Sequence, residues 1–199
     1  MNSREFIEAI LDRAGGRSVA VVAPGRTGEL LFRIRPARTL FVDSMGDVCP
    51  LALGIAMAAR EIDVYAFETD GGLLMNLSVL PVLGRRMPEL DNLRIAIIDN
   101  RIYESSGGMP SRGCPLDWEM LFSAFGLHAR VCADPEAAAS AVTAARPGVR
   151  RPILIGSVSN DAAVPAAAKT IDGVESSYLV EAELARLRGI ERRRPAAKS

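Results

Sequence analysis

The chain has 199 residues with 24 basic and 24 acidic side chains, so its zero formal net charge favours neither nucleic acid nor a membrane surface as a partner. Hydrophobic residues make up 49% of the sequence and aromatic residues only 5%, a balance that suits helices packed on a buried sheet. The three cysteines lie far apart and favour neither a disulfide framework nor a zinc site. Because there is no long apolar run and acidic residues come early in the chain, we expect a cytoplasmic protein.

Short apolar strands alternate with helices along the chain. A first helix is expected to begin near Ser3, a candidate cap, followed by a strand over 18–23, a short helix over 27–32 and a strand over 39–42. A helix rich in small residues (50–60) then precedes a strand (63–67), a helix (73–83) and a strand (93–98). After a loop over 103–115 come a helix (118–125), a strand (129–132), an Ala-rich helix (135–145) and a last strand (152–157).

This alternation predicts an α/β protein, a single doubly wound domain with a mainly parallel sheet and helices on both faces. We expect the domain to cover residues 1–187. Residues 188–199 are rich in charge and are predicted to form a flexible tail.

Two side chains that carry oxygen ligands follow neighbouring predicted strands. Asp70 lies in a Gly-rich turn after the strand 63–67, and Asn100 lies at the end of the strand 93–98. Ligands bind at the carboxyl ends of strands in such sheets, and these oxygens suit Mg²⁺. We therefore predict that Asp70 and Asn100 bind Mg²⁺, with the main-chain carbonyl of Ile102 as a third ligand. Each side chain is also common in ordinary turns, which is the alternative interpretation.

The glycine pair Gly71-Gly72 opens the helix that follows Asp70. A diphosphate at this position would meet free N–H groups and the positive end of the helix dipole. The alternative is a pair of loop glycines needed only for the shape of the backbone.

Three blocks of sequence carry a family resemblance: PGRTGELL, SMGDVCPLALGIAMA, and ETDGGLLMN through IIDNRIYESSGGMPS. Together they resemble the diphosphate-binding (PP) domain of thiamine diphosphate enzymes, and DNRIYESSGG is similar to a segment of phosphonopyruvate and sulfopyruvate decarboxylases. The resemblance implies the thiamine diphosphate-binding fold, with thiamine diphosphate and Mg²⁺ as cofactors. It implies cofactor contacts at Ser44, Met45, Gly46, Gly71, Gly72 and Leu73.

The same resemblance implies that this chain is part of a larger enzyme. In the family, a glutamate on a separate pyrimidine-binding (Pyr) domain activates the cofactor, and this chain has room for one sheet domain only. The expected function is therefore the β-type subunit of a split 2-oxo acid decarboxylase, joined to a Pyr-domain (α-type) subunit as α2β2. Ser105, Ser106 and Arg112 are the candidates for contact with a small anionic 2-oxo acid. Their alternative role is that of a solvated loop.

Four departures from the family pattern leave other functions open. Thr69 replaces the first glycine of the Gly-Asp-Gly signature, Asp43 replaces a glycine before Ser-Met-Gly, and Asp47 introduces a carboxylate. The spacing from Asp70 to Asn100 is 30 residues (100 minus 70), at the long end for the family. A carboligase subunit similar to acetolactate synthase and a non-catalytic PP-like regulatory module are the alternatives. A Rossmann-like nucleotide-binding protein is disfavoured, because AVVAPGRTGE lacks the G-x-G-x-x-G spacing.

Overall fold

A six-stranded parallel sheet lies at the centre of the molecule, in a computed structural model that describes residues 1–23, 25–143, 151–159 and 172–190. In chain order the strands are β1 (Ser18–Val22), β2 (Thr39–Phe41), β3 (Asp63–Thr69), β4 (Leu93–Asp99), the hairpin strands β5 (Ile102–Tyr103) and β6 (Met109–Pro110), β7 (Ala129–Cys132) and β8 (Ile153–Ser157). The main sheet has the order β2-β1-β3-β4-β8-β7, and β5 pairs with β6 in a separate antiparallel hairpin.

Helices cover both faces of this sheet. On one face lie α1 (Ser3–Leu11), α2 (Arg26–Ile34) and α7 (Pro135–Thr143). On the other face lie α3 (Val48–Ala58), α4 (Asp70–Met75), α5 (Leu80–Arg86), α6 (Trp118–Ser123) and α8 (Gly173–Arg188). The predicted doubly wound α/β domain is therefore confirmed.

The strand β3 illustrates why the sequence forms such a sheet. Val64 and Ala66 point into one hydrophobic core, whereas Tyr65 and Phe67 point into the other. Successive side chains of a strand alternate between faces, so a strand covered on both sides reads as a continuous apolar run. The same burial on both faces accounts for the apolar sequence of β1 and β4.

The order of the strands creates a switch point between β1 and β3. The chain passes from β1 to β2 on one side, and the next strand, β3, lies on the other side of β1. Connections that diverge in this way leave a crevice at the carboxyl ends of the strands, where ligands bind in sheets of this type. In the neighbouring pair, Thr69 of β3 lies opposite Ile98 of β4, so Asp70 and Asn100 follow at the same edge.

Two helix boundaries differ from the sequence-based expectation for local reasons. Asn2 rather than Ser3 caps α1: its Oδ1 accepts from the N–H of Glu5 at 2.9 Å, and the Glu5 carboxylate accepts from the N–H of Asn2 at 2.9 Å. The single helix expected over 73–83 is broken at Asn76 (φ −137°, ψ 58°), whose Nδ2 donates to the carbonyl of Gly46 at 3.1 Å.

The carboxyl-terminal part of the chain contains a helix that the sequence patterns did not indicate. α8 ends at Arg188, so the first residue of the expected tail is helical. Residues 191–199 of that tail and 144–145 of the expected Ala-rich helix lie outside the described residues. None of the helices in the described ranges has both the length and the apolar character needed to cross a bilayer.

Candidate functional site

A pocket opens at the switch point, where β1, β3 and β4 end. Its wall contains residues from the end of each strand and from the loops that follow them, among them Ala23, Met45, Phe67, Thr69, Asn100, Ile102 and Tyr103. Three of the predicted site residues, Met45, Asn100 and Ile102, therefore face one pocket, although Met45 is far from the other two in the chain.

The amino-terminal end of α2 forms another wall of this pocket, through Gly25, Arg26 and Thr27. Gly25 has φ 110°, a conformation that favours glycine, and it provides no capping side chain for the first turn of α2. Free N–H groups at the start of a helix attract anions. From the sequence, PGRTGELL contributed to the resemblance and Arg26 was a candidate partner of an anionic substrate tail, but no cofactor contact was predicted here.

Asp70 begins α4 and is fully buried. Its Oδ2 accepts hydrogen bonds from the Ser111 hydroxyl and from Nη1 of Arg112, the latter at 2.9 Å. Its Oδ1 is buried and has no hydrogen-bond partner within the described part of the chain. Burial raises the pKa of Asp70, and the hydrogen bond from Ser111 partly offsets this rise. The site thus contains a buried carboxylate oxygen that could coordinate a cation.

Asp99, Arg112 and Trp118 form a cluster beside Asp70. Nη1 and Nη2 of Arg112 donate to the two carboxylate oxygens of Asp99 at 2.8 and 3.1 Å, and Nε1 of Trp118 donates to Oδ2 of Asp99 at 2.9 Å. The guanidinium carbon also lies 5.7 Å from the centre of the Trp118 ring. The sequence analysis missed the roles of Asp99 and Trp118, because these contacts join segments that are distant in the chain.

Asn100 and Ile102 lie in the turn after β4. Oδ1 of Asn100 accepts from the N–H of Ile102 at 3.2 Å, and its Nδ2 donates to the Glu104 carboxylate at 3.4 Å. Between them, Arg101 adopts φ 64°, a left-handed conformation that is unusual for a residue with a side chain.

The residues at this edge of the sheet fit a hard cation. Among the described residues there is no group of three or more His, Cys, Asp or Glu side chains that could hold a metal ion. A metal here would therefore depend on the single carboxylate of Asp70, the amide oxygen of Asn100 and main-chain oxygen, all of which are suitable ligands for Mg²⁺. The observation that supports this fit is the buried Oδ1 of Asp70, which has no hydrogen-bond partner in the described ranges of the chain.

The predicted cofactor segment Ser44-Met45-Gly46 lies in the loop between β2 and α3. Gly46 has φ 89°, and a Cβ atom there would come within 2.8 Å of the Asn76 Cβ, so both conformation and space require glycine. The Nδ2 donor of Asn76 then fixes the loop against the end of α4. Asp43, just before this loop, lies against the first turn of α8 at Gly173.

The predicted segment Gly71-Gly72-Leu73 forms the first turn of α4. A Cβ atom on Gly71 would lie 2.4 Å from Cε1 of Tyr103, so the tyrosine ring covers this residue. The N–H of Gly72 donates to the Thr69 hydroxyl at 3.1 Å, and the Leu73 side chain is buried in the core. Contacts from Gly71, Gly72 and Leu73 to a cofactor stay a prediction, and they would have to come from the backbone.

Glu68 is a buried carboxylate that the sequence analysis did not single out. Its Oε1 accepts from the N–H of Thr69 at 2.9 Å, whereas Oε2 is buried without a hydrogen-bond partner among the described residues. Burial raises the pKa of Glu68 to about 7. The sequence feature that could have identified Glu68 is an acidic residue in an otherwise apolar strand.

The three predicted substrate residues lie in different settings. Ser106 is exposed in the turn Glu104–Ser106, and the side chain of Ser105 lies outside what the structure describes. The Arg112 side chain is only 13% exposed and is bonded to two carboxylates. Contacts of these residues with a substrate stay a prediction.

Comparisons with known proteins agree with this fold. The chain is 28% identical over 127 residues to the sulfopyruvate decarboxylase subunit beta of Methanocaldococcus jannaschii, an alignment that covers 57% of this chain and 66% of that subunit. It is 28% identical over 116 residues to the phosphonopyruvate decarboxylase of Streptomyces viridochromogenes, which covers 57% of this chain but 28% of that enzyme.

A solved structure and a family model cover more of the chain. The thiamine diphosphate-dependent 4-hydroxybenzoylformate decarboxylase of Rhodococcus jostii RHA1 superposes with a TM-score of 0.65 at 18% identity, over 80% of this chain and 33% of that one, and so supports the fold. Residues 26–156 match the model described as "Thiamine pyrophosphate enzyme, C-terminal TPP binding domain". Because this match covers well over half of the sequence, the chain belongs to the family of C-terminal TPP binding domains of thiamine pyrophosphate enzymes.

Proposed function

We propose that the chain is the β-type (PP) subunit of a split decarboxylase that uses thiamine diphosphate and Mg²⁺ and acts on a small anionic 2-oxo acid. The observation that carries this proposal is the buried Asp70 carboxylate, whose Oδ1 has no partner among the described residues, at the same sheet edge as Asn100 and the switch-point pocket. The similarity to a sulfopyruvate decarboxylase subunit beta and to a phosphonopyruvate decarboxylase supports the substrate class.

The residues of the chain would bind and orient the cofactor. Asp70, Asn100 and the carbonyl of Ile102 would hold Mg²⁺ and through it the diphosphate. The first turn of α2 and the backbone at Gly71 would stabilise the negative charge of the diphosphate. When bound, thiamine diphosphate supplies the electron sink for decarboxylation. The loop at Met45 forms the neighbouring wall and would limit access of water.

A partner subunit would complete the site. Large apolar side chains are exposed on the helices that cover one face of the sheet: Leu51 and Met57 on α3, Met75 on α4 and Val82 on α5. A surface of this kind is a candidate for burial against another protein. We infer that it contacts a Pyr-type subunit carrying the activating glutamate, in an α2β2 assembly.

The proposal is tested by binding and by turnover. In calorimetric titrations, Asp70→Ala should abolish Mg²⁺-dependent binding of thiamine diphosphate and Asn100→Ala should weaken it strongly. Asp63→Ala, at the opposite end of β3, is the matched control and should bind as the wild type does. Unchanged affinity in Asp70→Ala would remove the metal site and with it the proposal.

Turnover distinguishes the catalytic alternatives. Together with a Pyr-type subunit the chain should release CO2 from a small anionic 2-oxo acid, whereas the chain alone should release none. A condensation product with an added aldehyde acceptor would assign a carboligase instead.

Two observations favour a second candidate function, the non-catalytic module. Arg112 places a cation beside the proposed metal ligand Asp70, and Thr69 already occupies the N–H of Gly72. A stable complex that binds the cofactor but turns over no 2-oxo acid would support this candidate.

A further inference from the structure

The Asp70 carboxylate is held on one side only. Its Oδ2 accepts from the Ser111 hydroxyl and from Arg112, whereas its Oδ1 is buried without a partner among the described residues. We propose that Arg112 and Ser111 are positioning residues, which fix Oδ2 so that Oδ1 alone is presented to the metal ion. This inference rests on the proposed function, since it needs Asp70 to be a metal ligand.

An aspartate needs such help because its carboxylate turns easily. The last torsion of the side chain has a broad energy minimum, so the backbone of α4 does not determine where each oxygen points. Two donors on one oxygen restrict this rotation. Hydrogen bonds of this kind orient metal ligands, and their loss typically weakens metal binding by about 10–100-fold.

The segment that carries the two donors is itself fixed in place. The N–H of Ser111 donates to the carbonyl of Arg101 at 3.0 Å, which returns the chain to the end of β4 after the β5–β6 hairpin. Asp99 holds both terminal nitrogens of Arg112, and Trp118 in turn donates to Asp99. The guanidinium therefore has a fixed position from which it can orient Asp70.

The charges of the cluster are compatible with a bound cation. Asp99 carries one negative charge that offsets the positive charge of Arg112, and the charge of Asp70 is left over. Both carboxylates are at most 5% exposed, so water screens this excess charge poorly. A cation at Oδ1 would neutralise it.

The decisive variant is Arg112→Lys, which keeps the positive charge but lacks the planar fork that reaches two carboxylates. Binding of Mn²⁺ to the full chain, with and without thiamine diphosphate, is followed by the loss of the free-ion electron paramagnetic resonance signal. We expect binding about tenfold weaker in Arg112→Lys. Ser111→Ala, which leaves the charge unchanged, should weaken binding less. Arg94→Lys is the matched control, because Arg94 also pairs with an aspartate, and it should bind as the wild type does.

Competition of Mg²⁺ and Ca²⁺ against Mn²⁺ separates positioning from a general loss of structure. Mg²⁺ demands nearly ideal octahedral geometry, whereas Ca²⁺ tolerates flexible ligands. A loosened Asp70 should therefore reduce Mg²⁺ affinity more than Ca²⁺ affinity, so the preference for Mg²⁺ should fall in Arg112→Lys. A change in overall fold would lower both affinities alike.

Several outcomes would overturn the inference. If Asp70→Ala loses Mn²⁺ and Arg112→Lys and Ser111→Ala do not, the metal site stands and the positioning role is wrong. Tighter binding in Arg112→Met would make Arg112 a competitor of the metal ion. An equal loss in Arg94→Lys would indicate a general effect on the fold, and no binding by the wild type would remove the metal site itself.

Discussion

The two ends of β4 each carry an arginine–aspartate cluster, and the clusters differ in charge balance and burial. At the amino end, Arg94 pairs with Asp63 at 2.6 Å, and their side chains are 17% and 34% exposed. At the carboxyl end, Arg112 is shared between Asp70 and Asp99, whose side chains are 0% and 5% exposed. Buried and unbalanced charge lowers stability, and proteins retain such arrangements mainly at functional sites. We therefore propose that the carboxyl end is the functional end of the strand.

The largest expected effect is a difference in the free energy of unfolding between variants of the two clusters. Asp99→Ala leaves the buried guanidinium of Arg112 without its main partner and should reduce the free energy of unfolding by about 3–5 kcal/mol. Asp63→Ala removes a carboxylate that is 34% exposed and should reduce it by about 1 kcal/mol or less. Urea unfolding measures both values. Equal losses would mean that the two clusters do not differ in the way the burial indicates.

The next largest expected effect is a pH dependence of the free energy of unfolding. It arises from Glu68, near the carboxyl end of β3. The pKa of buried Glu68 is raised from 4.5 to about 7, so between these values the folded protein binds more protons than the unfolded chain. The contribution of Glu68 to the free energy of unfolding is fully present below pH 4.5, and it is lost as the pH rises through 7. The loss amounts to about 3 kcal/mol for a shift of this size.

This pH dependence should be much smaller in Glu68→Gln, where only the raised pKa of Asp70 still contributes, and retained in the control Asp63→Asn. The measurement is urea unfolding of each variant at pH 4.5 and pH 8 without added metal. If Glu68→Gln loses as much stability as the wild type over this range, another group is responsible.

A smaller effect concerns the threonine that replaces a family glycine. Thr69 has φ −94° and ψ 157°, an ordinary extended conformation, and its hydroxyl caps α4 through the N–H of Gly72. Thr69→Ala should lower the free energy of unfolding by about 1 kcal/mol, whereas Thr69→Ser keeps the cap and should lower it less. Because the backbone does not require glycine here, Thr69→Gly should leave cofactor affinity undiminished. A marked loss of affinity would show that the hydroxyl has a specific role in binding.

The smallest expected effect is a gain, rather than a loss, in the free energy of unfolding. Arg101 adopts φ 64° between two proposed metal ligands, and its side chain makes a 3.4 Å contact with the Ser157 hydroxyl. Arg101→Gly should relieve the backbone strain and raise the free energy of unfolding by about 0.5–1 kcal/mol. Arg101→Ala keeps the strain and should give no such gain. Thermal unfolding compares the two, and a loss in Arg101→Gly would show that the side-chain contact outweighs the strain.

The sequence was sufficient to predict the sheet, and it led to the proposed metal ligands at the carboxyl edge of that sheet. Apolar runs of strand length marked every strand of the main sheet, and the rule that ligands bind at the carboxyl ends of strands selected Asp70 and Asn100. The break at Asn76 was not predictable, because the helical pattern continues through it. What ends the helix is a contact with the carbonyl of Gly46, which only the folded chain brings near.

The cluster around Arg112 was missed for the same physical reason. Its partners Asp70 and Asp99 lie 42 and 13 residues away in the chain, and no periodic pattern relates such positions. In the sequence, Arg112 stands in a Gly-, Ser- and Pro-rich stretch that indicated a substrate contact or a solvated loop, but no pairing with Asp70 and Asp99. α8 was missed because its apolar residues, such as Val174, Leu179 and Val180, are not concentrated on one face of the helix.

The close contact between Gly71 and Tyr103 has a consequence for how this site can change by mutation. A Cβ atom at position 71 would lie 2.4 Å from Cε1 of Tyr103, so alanine there requires the tyrosine ring to shift. The two positions are therefore coupled, and a smaller residue at position 103 should make a side chain at position 71 easier to accommodate. Because Tyr103 also lines the pocket, either a shift or a replacement of its ring changes the wall of the pocket.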